Sequence, residues 1–184
     1  MTAPPEIETN RLRLRRPRQD EAEAMFARYA GDSDVTRYVG WPRHTAVEHT
    51  QGFVAFSDSE WERWHAGPYA IFDKATGALL GGTGLSFETP SRASTGYVLA
   101  KDAWGKGYAT EALHAMADLA PRLGVVRLYA LCHTDHRASW RVLEKCGFTR
   151  EGILRSYAPF PNIAAAPADM FCYARVWPAA SGSR

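Results

Sequence analysis

A short loop with two glycines, set between a β-rich run and an amphipathic helix, constrains the fold of this chain more than any other feature. Residues 94–100 favour a strand, and Gly105, Lys106 and Gly107 come shortly after them. The segment beyond the loop predicts a helix, because small and apolar side chains recur on one helical face. These side chains are Ala109, Leu113, Met116 and Ala117. The sequence therefore predicts strand, loop and helix in direct succession.

The loop also predicts an anion-binding site. A helix start leaves about four backbone N–H groups without partners and carries about half a positive charge, so it attracts phosphate. Gly105 and Gly107 let the backbone approach a diphosphate, and Lys106 adds a cation. A P-loop is excluded because Tyr108 follows Gly107, and a dinucleotide fingerprint is excluded because Thr110 replaces its third glycine. On spacing alone, a turn that binds nothing remains the alternative.

Strand and helix signals alternate in the first half of the chain. Predicted strands are residues 11–16, 68–73 and 78–88, and predicted helices are residues 20–30 and a helix that begins at Thr45. The start at Thr45 rests on Thr45-x-x-Glu48, which has the spacing of a capping box. Residues 74–77 predict a hairpin turn, and the three glycines of the strand after it predict a β-bulge.

The second half repeats the alternation. We predict a strand at residues 125–132, a helix at 136–146 and a final strand pair at 148–154 and 170–176. Gly147 suits the left-handed residue that ends the helix. Pro159, Pro161 and Pro167 predict a long loop between the last two strands. Without a linker or repeat, the expectation is one mixed α/β domain over residues 1–184, with its core at about 8–177.

Charge and hydropathy favour a protein without a nucleic-acid or membrane partner. The formal net charge is +2, which demands no polyanionic partner. Five arginines crowd the first strand and its end: Arg11, Arg13, Arg15, Arg16 and Arg18. Leu12 and Leu14 alternate with them, so we interpret them as a solvated strand face, and no aromatic residue between them could stack a base. The sequence contains no run of 18 apolar residues, so it predicts no membrane-spanning helix.

The three cysteines predict free thiols. Cys132, Cys146 and Cys172 are odd in number and lack Cys-x-x-Cys spacing, which argues against a disulfide framework and against a zinc site. Residues 1–10 have neither a basic region nor an apolar run, so we expect no secretory signal. We expect a cytoplasmic protein that needs no metal.

Several segments together resemble the GNAT family of N-acetyltransferases, within its branch of ribosomal-protein N-terminal acetyltransferases (RimJ/RimL-like). The family's pyrophosphate motif, Gln/Arg-x-x-Gly-x-Gly/Ala, is similar to residues 104–109, with Trp104 in the first position. The branch's opening is similar to Thr9-x-Arg11-Leu12-x-Leu14-Arg15. Its later motifs are similar to residues 143–148, Leu-Glu-Lys-Cys-Gly-Phe, and to residues 151–155, Glu-Gly-Ile-Leu-Arg, with Asp169 before the last strand.

The resemblance implies a fold and a co-substrate. The expected fold is one mostly antiparallel sheet of about six to seven strands with about four helices, in which two strands splay to form an acetyl-CoA cleft. Backbone groups of Val98, Leu99 and Ala100 should bind pantetheine. The pyrophosphate should lie on the loop and helix start: Gly105, Lys106, Gly107, Tyr108, Ala109 and Thr110. The family's Asn-x-x-Ser becomes His136-Arg137-Ala138-Ser139, which adds His136 and Ser139 to the expected cofactor site.

The catalytic groups are less clearly marked. Direct attack of an amine on a thioester needs a base for the amine and an acid for the thiolate, and no covalent enzyme intermediate. The position of the family's acidic tyrosine is Leu143 here, so Ser139 is the expected acid. Ser94 and Thr95 replace the family's glutamate, which leaves His133, Glu88, Asp102 or a water chain as candidates for the base.

The expected acceptor is a primary amine. With no strong base, an α-amino group of a peptide, protein or amino-acid-like molecule is favoured over lysine. Aromatic side chains could line its site: Tyr38, Trp41, Trp61, Trp64, Tyr157 and Phe160. We expect a monomer or homodimer. A catalytically silent acyl-CoA-binding module is the alternative, because the family's glutamate, asparagine and tyrosine are all replaced.

Overall fold

A sheet of eight strands runs through residues 1–178, the part of the chain that the computed structural model describes. Its spatial order is β1-β2-β3-β4-β5-β6-β8-β7, and every neighbouring pair is antiparallel except β5 and β6. The strands are β1 Glu6–Glu8, β2 Leu12–Arg15, β3 Pro68–Asp73, β4 Leu79–Thr89, β5 Arg92–Leu99, β6 Arg127–His133, β7 Thr149–Phe160 and β8 Ala164–Val176. The mostly antiparallel sheet is confirmed. It has one strand more than expected, because the three-residue β1 gives too short a pattern to detect.

Four α-helices flank the sheet within these residues: α1 Ala22–Met25, α2 Val47–Trp64, α3 Tyr108–Arg122 and α4 Arg137–Lys145. A 3₁₀ turn precedes α1 and a π turn, Phe26–Ala30, extends it, so helical backbone covers the predicted span. The predicted capping box at Thr45 is wrong. Helix α2 begins two residues later with Ala46 as N-cap, and the Thr45 N–H donates to Nδ1 of His49 at 3.3 Å. Among the described residues, no helix is both long and apolar enough to span a bilayer.

The predicted hairpin and bulge are confirmed in β3 and β4. The Asp73 carboxylate accepts the N–H groups of Ala75 and Thr76 at 3.0 and 2.9 Å, which closes the turn. The register shifts between Ile71 and Phe72 of β3. At Gly81, an added Cβ would overlap the carbonyl oxygen of Val98, so only glycine fits where β4 approaches β5.

The predicted long loop near the end of the chain is wrong. Strands β7 and β8 continue as a hairpin in which Pro159 faces Pro167, and the turn is confined to residues 161–163. Proline is tolerated in a strand where no ladder hydrogen bond is needed from its nitrogen. Strand β7 is an edge strand, and the pairing of β8 with β6 stops at Met170, so both prolines lie where the strand has a single neighbour.

Apolar side chains cover both faces of the sheet. In β3, Ile71 packs in one core with α3, whereas Ala70 and Phe72 pack in a second core with α1 and α2. The first core takes Leu113 and Met116 from α3, and the second takes Met25 and Val54 from α1 and α2. Alternate side chains of the strand thus anchor helices on opposite sides.

The parallel pair β5 and β6 is the place where the sheet opens. The two strands pair only between Arg92–Ser94 and Arg127–Tyr129. Strand β5 continues to Leu99 and β6 to His133, with no ladder between their last residues. The expected splay is confirmed, and the starts of α3 and α4 follow the open ends of β5 and β6.

Candidate active site

A cavity of ≈ 1350 Å³ occupies the opening between β5 and β6. From the predicted loop it is lined by Gly105, Gly107, Tyr108, Ala109 and Thr110. From β5 and α4 it is lined by Val98, Leu99, His136 and Ser139. The other predicted site residues, Ala100, Lys106, His133 and Glu88, are not part of its wall as described. The fold therefore brings most of the predicted cofactor residues to one concave surface.

The loop presents free donors to the cavity. Among residues 1–178, no protein acceptor takes the backbone N–H groups of residues 105–110, and the first helical bond runs from Glu111 to the Gly107 carbonyl. Gly105 and Gly107 have φ of 72° and 82°, a left-handed conformation that disfavours any side chain with a Cβ. Together they orient a row of N–H groups at the start of α3, which suits a diphosphate.

Arg11 stabilises this loop through contacts with three of the residues in the loop and the start of α3. Its Nη1 donates to the Lys106 carbonyl at 2.9 Å, its Nε pairs with Glu111 at 2.8 Å, and its guanidinium lies 4.7 Å from the centre of the Tyr108 ring. Burial raises the pKa of Glu111, but hydrogen bonds from Thr9 and Arg11 outweigh it, so the net pKa is lowered. The alternation of arginine and leucine along the first strand predicts a solvent-exposed strand face for Arg11. The structure shows that it braces the loop.

Strand β5 offers only some of its backbone to the cleft. The Ala100 N–H donates to the Leu80 carbonyl at 2.8 Å, and the Val98 carbonyl faces Gly81, so both residues point their backbone groups at β4. Backbone groups of neighbouring strand residues point to opposite sides. Leu99 therefore faces the open side, where its carbonyl accepts Nε1 of Trp104 at 2.8 Å.

A sequence model of the GNAT acetyltransferase domain matches residues 11–149, most of the chain and all of the loop and cleft just described. The chain belongs to the GNAT family of acetyltransferases. It is 32% identical over 156 residues to YoaA of Bacillus subtilis, named as an uncharacterized N-acetyltransferase, across 83% of this chain and 88% of that protein.

Two solved structures superpose on this GNAT domain over most of their length. A GNAT acetyltransferase from Bacillus anthracis superposes with a TM-score of 0.81 at 25% identity, covering 93% of this chain and 98% of that chain. RimL, a ribosomal α-N-protein acetyltransferase in complex with coenzyme A, superposes with a TM-score of 0.83 at 24% identity, covering 93% and 97%. The similarity to RimL shows that the two proteins have the same fold.

In this GNAT domain, Ser139 lies on the first turn of α4 and shares the cavity wall with Tyr97 of β5. Burial raises the pKa of the Tyr97 phenol to about 12, and its interaction with the Ser139 hydroxyl acts in the opposite direction. No motif of the sequence assigns a role to Tyr97. Strand periodicity gives the face of β5 on which its ring lies, but not that β6 separates from β5 there.

The three side chains predicted as candidates for the base, His133, Glu88 and Asp102, each have a protein partner. The Asp135 N–H donates to Nδ1 of His133 at 3.1 Å, which places the proton of the neutral ring on Nε2. Glu88 accepts the Tyr129 hydroxyl and pairs with Nε of Arg92 at 2.7 Å. Asp102 is bound by both terminal nitrogens of Arg28, at 3.1 and 2.9 Å.

The cysteine thiols of this GNAT domain are poor nucleophiles. Burial raises the pKa of Cys132 to about 12 and that of Cys146 to about 11, so both stay protonated at neutral pH. Burial also raises the pKa of Cys172. Free thiols were predicted, and the three described cysteines are free.

The predicted acceptor aromatics separate into two sets. Tyr38 and Trp41 line the cavity. The others lie elsewhere among the described residues: Trp61 is buried and donates to the Pro68 carbonyl, Trp64 stacks on Phe87, Tyr157 is exposed, and Phe160 packs edge-on against His133. The tip of the β7–β8 hairpin is tied to the segment that carries Trp41, because Nδ2 of Asn162 donates to the carbonyls of Thr36 and Trp41 at 2.7 and 2.9 Å.

Proposed function

We propose that this protein transfers the acetyl group of acetyl-CoA to an α-amino group of a peptide or protein N-terminus, or of an amino-acid-like small molecule. The row of unpaired N–H groups at residues 105–110, at the mouth of a cleft between splayed strands, carries the proposal. The RimL neighbour was solved with coenzyme A on the same fold, which supports both the co-substrate and the ribosomal-protein branch.

Each part of coenzyme A has a matching surface. The pyrophosphate would lie on the N–H groups of the loop, with Lys106 supplying charge from the exposed side. Pantetheine would extend along β5, where Leu99 has its backbone on the open side. The thioester would then lie near the Ser139 and Tyr97 hydroxyls, which both border the cavity.

The chemistry is direct attack in a ternary complex. Acetyl-CoA supplies an activated carbonyl whose sulfur leaves as a thiolate. Ser139, with the Tyr97 phenol beside it, would protonate that sulfur, and the raised pKa of Tyr97 keeps its proton in place at neutral pH. A cysteine-bound acetyl intermediate is disfavoured, because the cavity thiol Cys132 is protonated. The free thiols also favour a reducing compartment, so we place the reaction in the cytoplasm.

The acceptor class follows from the lack of a strong base. At pH 7, an α-amine of pKa about 7.8 is about 14% neutral, whereas a lysine amine of pKa about 10.4 is about 0.04% neutral. This difference of more than about 100-fold is comparable to what a positioned base supplies. Because Glu88 and Asp102 are both paired with arginines, the site should prefer an amine that is already largely neutral.

The test is a peptide that offers both a free N-terminus and an internal lysine, incubated with enzyme and acetyl-CoA at pH 7 and at pH 9. Mass spectrometry should locate the acetyl group on the N-terminus at pH 7, with lysine modification rising at pH 9. The same peptide with a blocked N-terminus is the control. Predominant lysine acetylation at pH 7 would contradict the α-amine assignment. Acceptor-dependent release of free thiol separates an enzyme from a silent acyl-CoA-binding module.

A further inference from the structure

His136 differs from the other histidines near the cavity because neither of its ring nitrogens has a hydrogen-bond partner among the described residues. It is the N-cap of α4 and lines the cavity at the open end of β6. Among residues 1–178, no group hydrogen-bonds either ring nitrogen. By contrast, Nδ1 of His133 accepts the Asp135 N–H, and Nδ1 of His44 lies 2.8 Å from the Thr50 hydroxyl.

Packing fixes the plane of the ring while the nitrogens stay open. The His136 imidazole stacks on Tyr38 with ring centroids 4.5 Å apart and an interplanar angle of 15°. Tyr38 belongs to the segment after α1, which the Asn162 side chain holds in place. Stacking restricts rotation of the ring. In the described part of the chain, the fully buried polar side-chain atoms without a hydrogen-bond partner are Oη of Tyr29 and Oγ of Ser57, so both nitrogens of His136 keep some solvent access. His136 therefore lies in the cavity wall between Ser139, on its own helix, and Tyr38, on which its ring stacks.

The surroundings keep this imidazole neutral. Burial is the main cause that lowers the pKa of His136 below its ordinary value, and the nearby His133 at the end of β6 adds to the effect. Tyr38 faces the ring from the segment after α1, with the Arg37 guanidinium 5.4 Å from the Tyr38 ring. Along the chain, Asp135 and Arg137 flank the residue with opposite charges. At pH 7 the ring is thus in the form that accepts a proton.

We propose that His136 is the general base of the acetyl transfer, which rests on the acceptor chemistry proposed above. As the amine nitrogen bonds to the carbonyl carbon, one N–H proton moves to the imidazole. The carbon–sulfur bond then breaks, its electron pair leaves with sulfur, and the thiolate gains a proton from the hydroxyl pair of Ser139 and Tyr97. The imidazolium passes its proton to that pair, directly or through water, so one proton moves in total from amine to thiol.

The weakness of this base matches the acceptor class. A histidine whose pKa lies below about 6.5 can take a proton from an α-ammonium of pKa about 7.8 at a small free-energy cost. The pKa of a lysine ammonium, about 10.4, lies about four units above that of the histidine, so the cost is much larger. His136 therefore selects for α-amines through proton affinity. This deepens the proposed specificity and needs no dedicated contact with the peptide.

The experiment compares wild type with His136→Asn and His136→Ala, with His114→Asn on the exposed side of α3 as control. Wild-type kcat should fall as pH drops through an apparent pKa below about 6.5, because the protonated ring cannot accept a proton. His136→Asn should lower kcat by about 100-fold or more and abolish this acidic limb. Calorimetry should show that His136→Asn still binds coenzyme A, because asparagine is the residue that the family resemblance gives at this position of the cofactor site, and retained binding confirms folding. The control should keep both kcat and the limb.

Added imidazole decides between chemical and structural roles. It should restore part of the activity of His136→Ala, because the small base can enter the vacated space, whereas a residue that only positions α4 gives no rescue. Retained kcat with an unchanged acidic limb, or no rescue, would overturn the proposal. All measurements are made with an α-amine and with a lysine peptide. If lysine is the true acceptor, the proposed specificity fails, while loss of the limb on that substrate still identifies the base.

Discussion

Gly107 shows how one residue without a side chain can create a binding surface. Its φ of 82° lets α3 begin with free N–H groups, and a Cβ would lie 3.4 Å from Nη2 of Arg11. Gly107→Glu should weaken coenzyme A binding by at least about 100-fold, because strain of about 1–2 kcal/mol adds to repulsion between the carboxylate and the phosphates.

The matched control for this change is Gly52→Glu, which places the same side chain on the exposed side of α2, where nothing lies within 4 Å of the Cβ that the substitution adds. Calorimetry on both variants is the measurement. Equal affinities for wild type, control and Gly107→Glu would show that the pyrophosphate lies elsewhere.

Residues that stand in one local motif could be proposed from the sequence. The glycine pair and Lys106 form one short loop, and the family resemblance added Ser139; the structure brings Gly105, Gly107 and Ser139 to one cavity wall. Arg11 and Tyr97 were missed because their roles depend on long-range neighbours: Arg11 meets Glu111 from 100 positions away, and Tyr97 faces the cleft only because β5 and β6 separate. Periodicity gives the face of a strand but not what lies opposite.

The β7–β8 hairpin anchors the segment that lines the proposed acceptor end of the cavity. Besides donating to Thr36 and Trp41, Asn162 accepts the Arg43 N–H on Oδ1 at 2.7 Å. Asn162→Ala removes all three bonds, each worth about 1 kcal/mol. We therefore expect KM for the amine to rise by about 5- to 10-fold, with KM for acetyl-CoA unchanged within about twofold.

Steady-state kinetics with each substrate varied in turn checks this expectation. Ile163→Ala is the control at the next position, because its side chain is exposed at the same turn. A rise in KM for acetyl-CoA alone would contradict the assignment of this end of the cavity to the acceptor.

Element boundaries were predictable where turn chemistry is unambiguous, as at Asp73 to Gly77. They failed where a local signal competed with tertiary pairing. Thr45 and Glu48 have capping spacing, but the helix starts at Val47, with His49 bonding back to the Thr45 N–H. The prolines near residue 160 suggested a loop, but sheet-edge geometry tolerates them.

For the whole molecule, ligand binding should be visible as stability. At a concentration of 100 times Kd, a ligand that binds only the folded state stabilises it by about 2.7 kcal/mol, or about 5–10 °C in Tm for a domain of this size. Acetyl-CoA should produce such a shift in thermal unfolding, and an adenosine diphosphate without pantetheine a smaller one. At the same concentration, Gly107→Glu should show a shift of at most about 1–2 °C. A full shift in that variant would show that the loop does not contribute to binding.

The pairing of β5 with β6 over only three residues allows the two halves of the sheet to differ in relative angle. It is the seam at which strands β1 to β5 join strands β6 to β8, and it lies beside the reactive centre. A molecule seated in the opening would touch both half-sheets at once, so it would act as a spacer that sets the angle between them. The distance between the proposed amine site, beside Tyr38 and His136, and the proposed thioester site along β5 would then depend on that angle. Substitutions far from the cleft that tilt one half-sheet could alter turnover without touching either substrate.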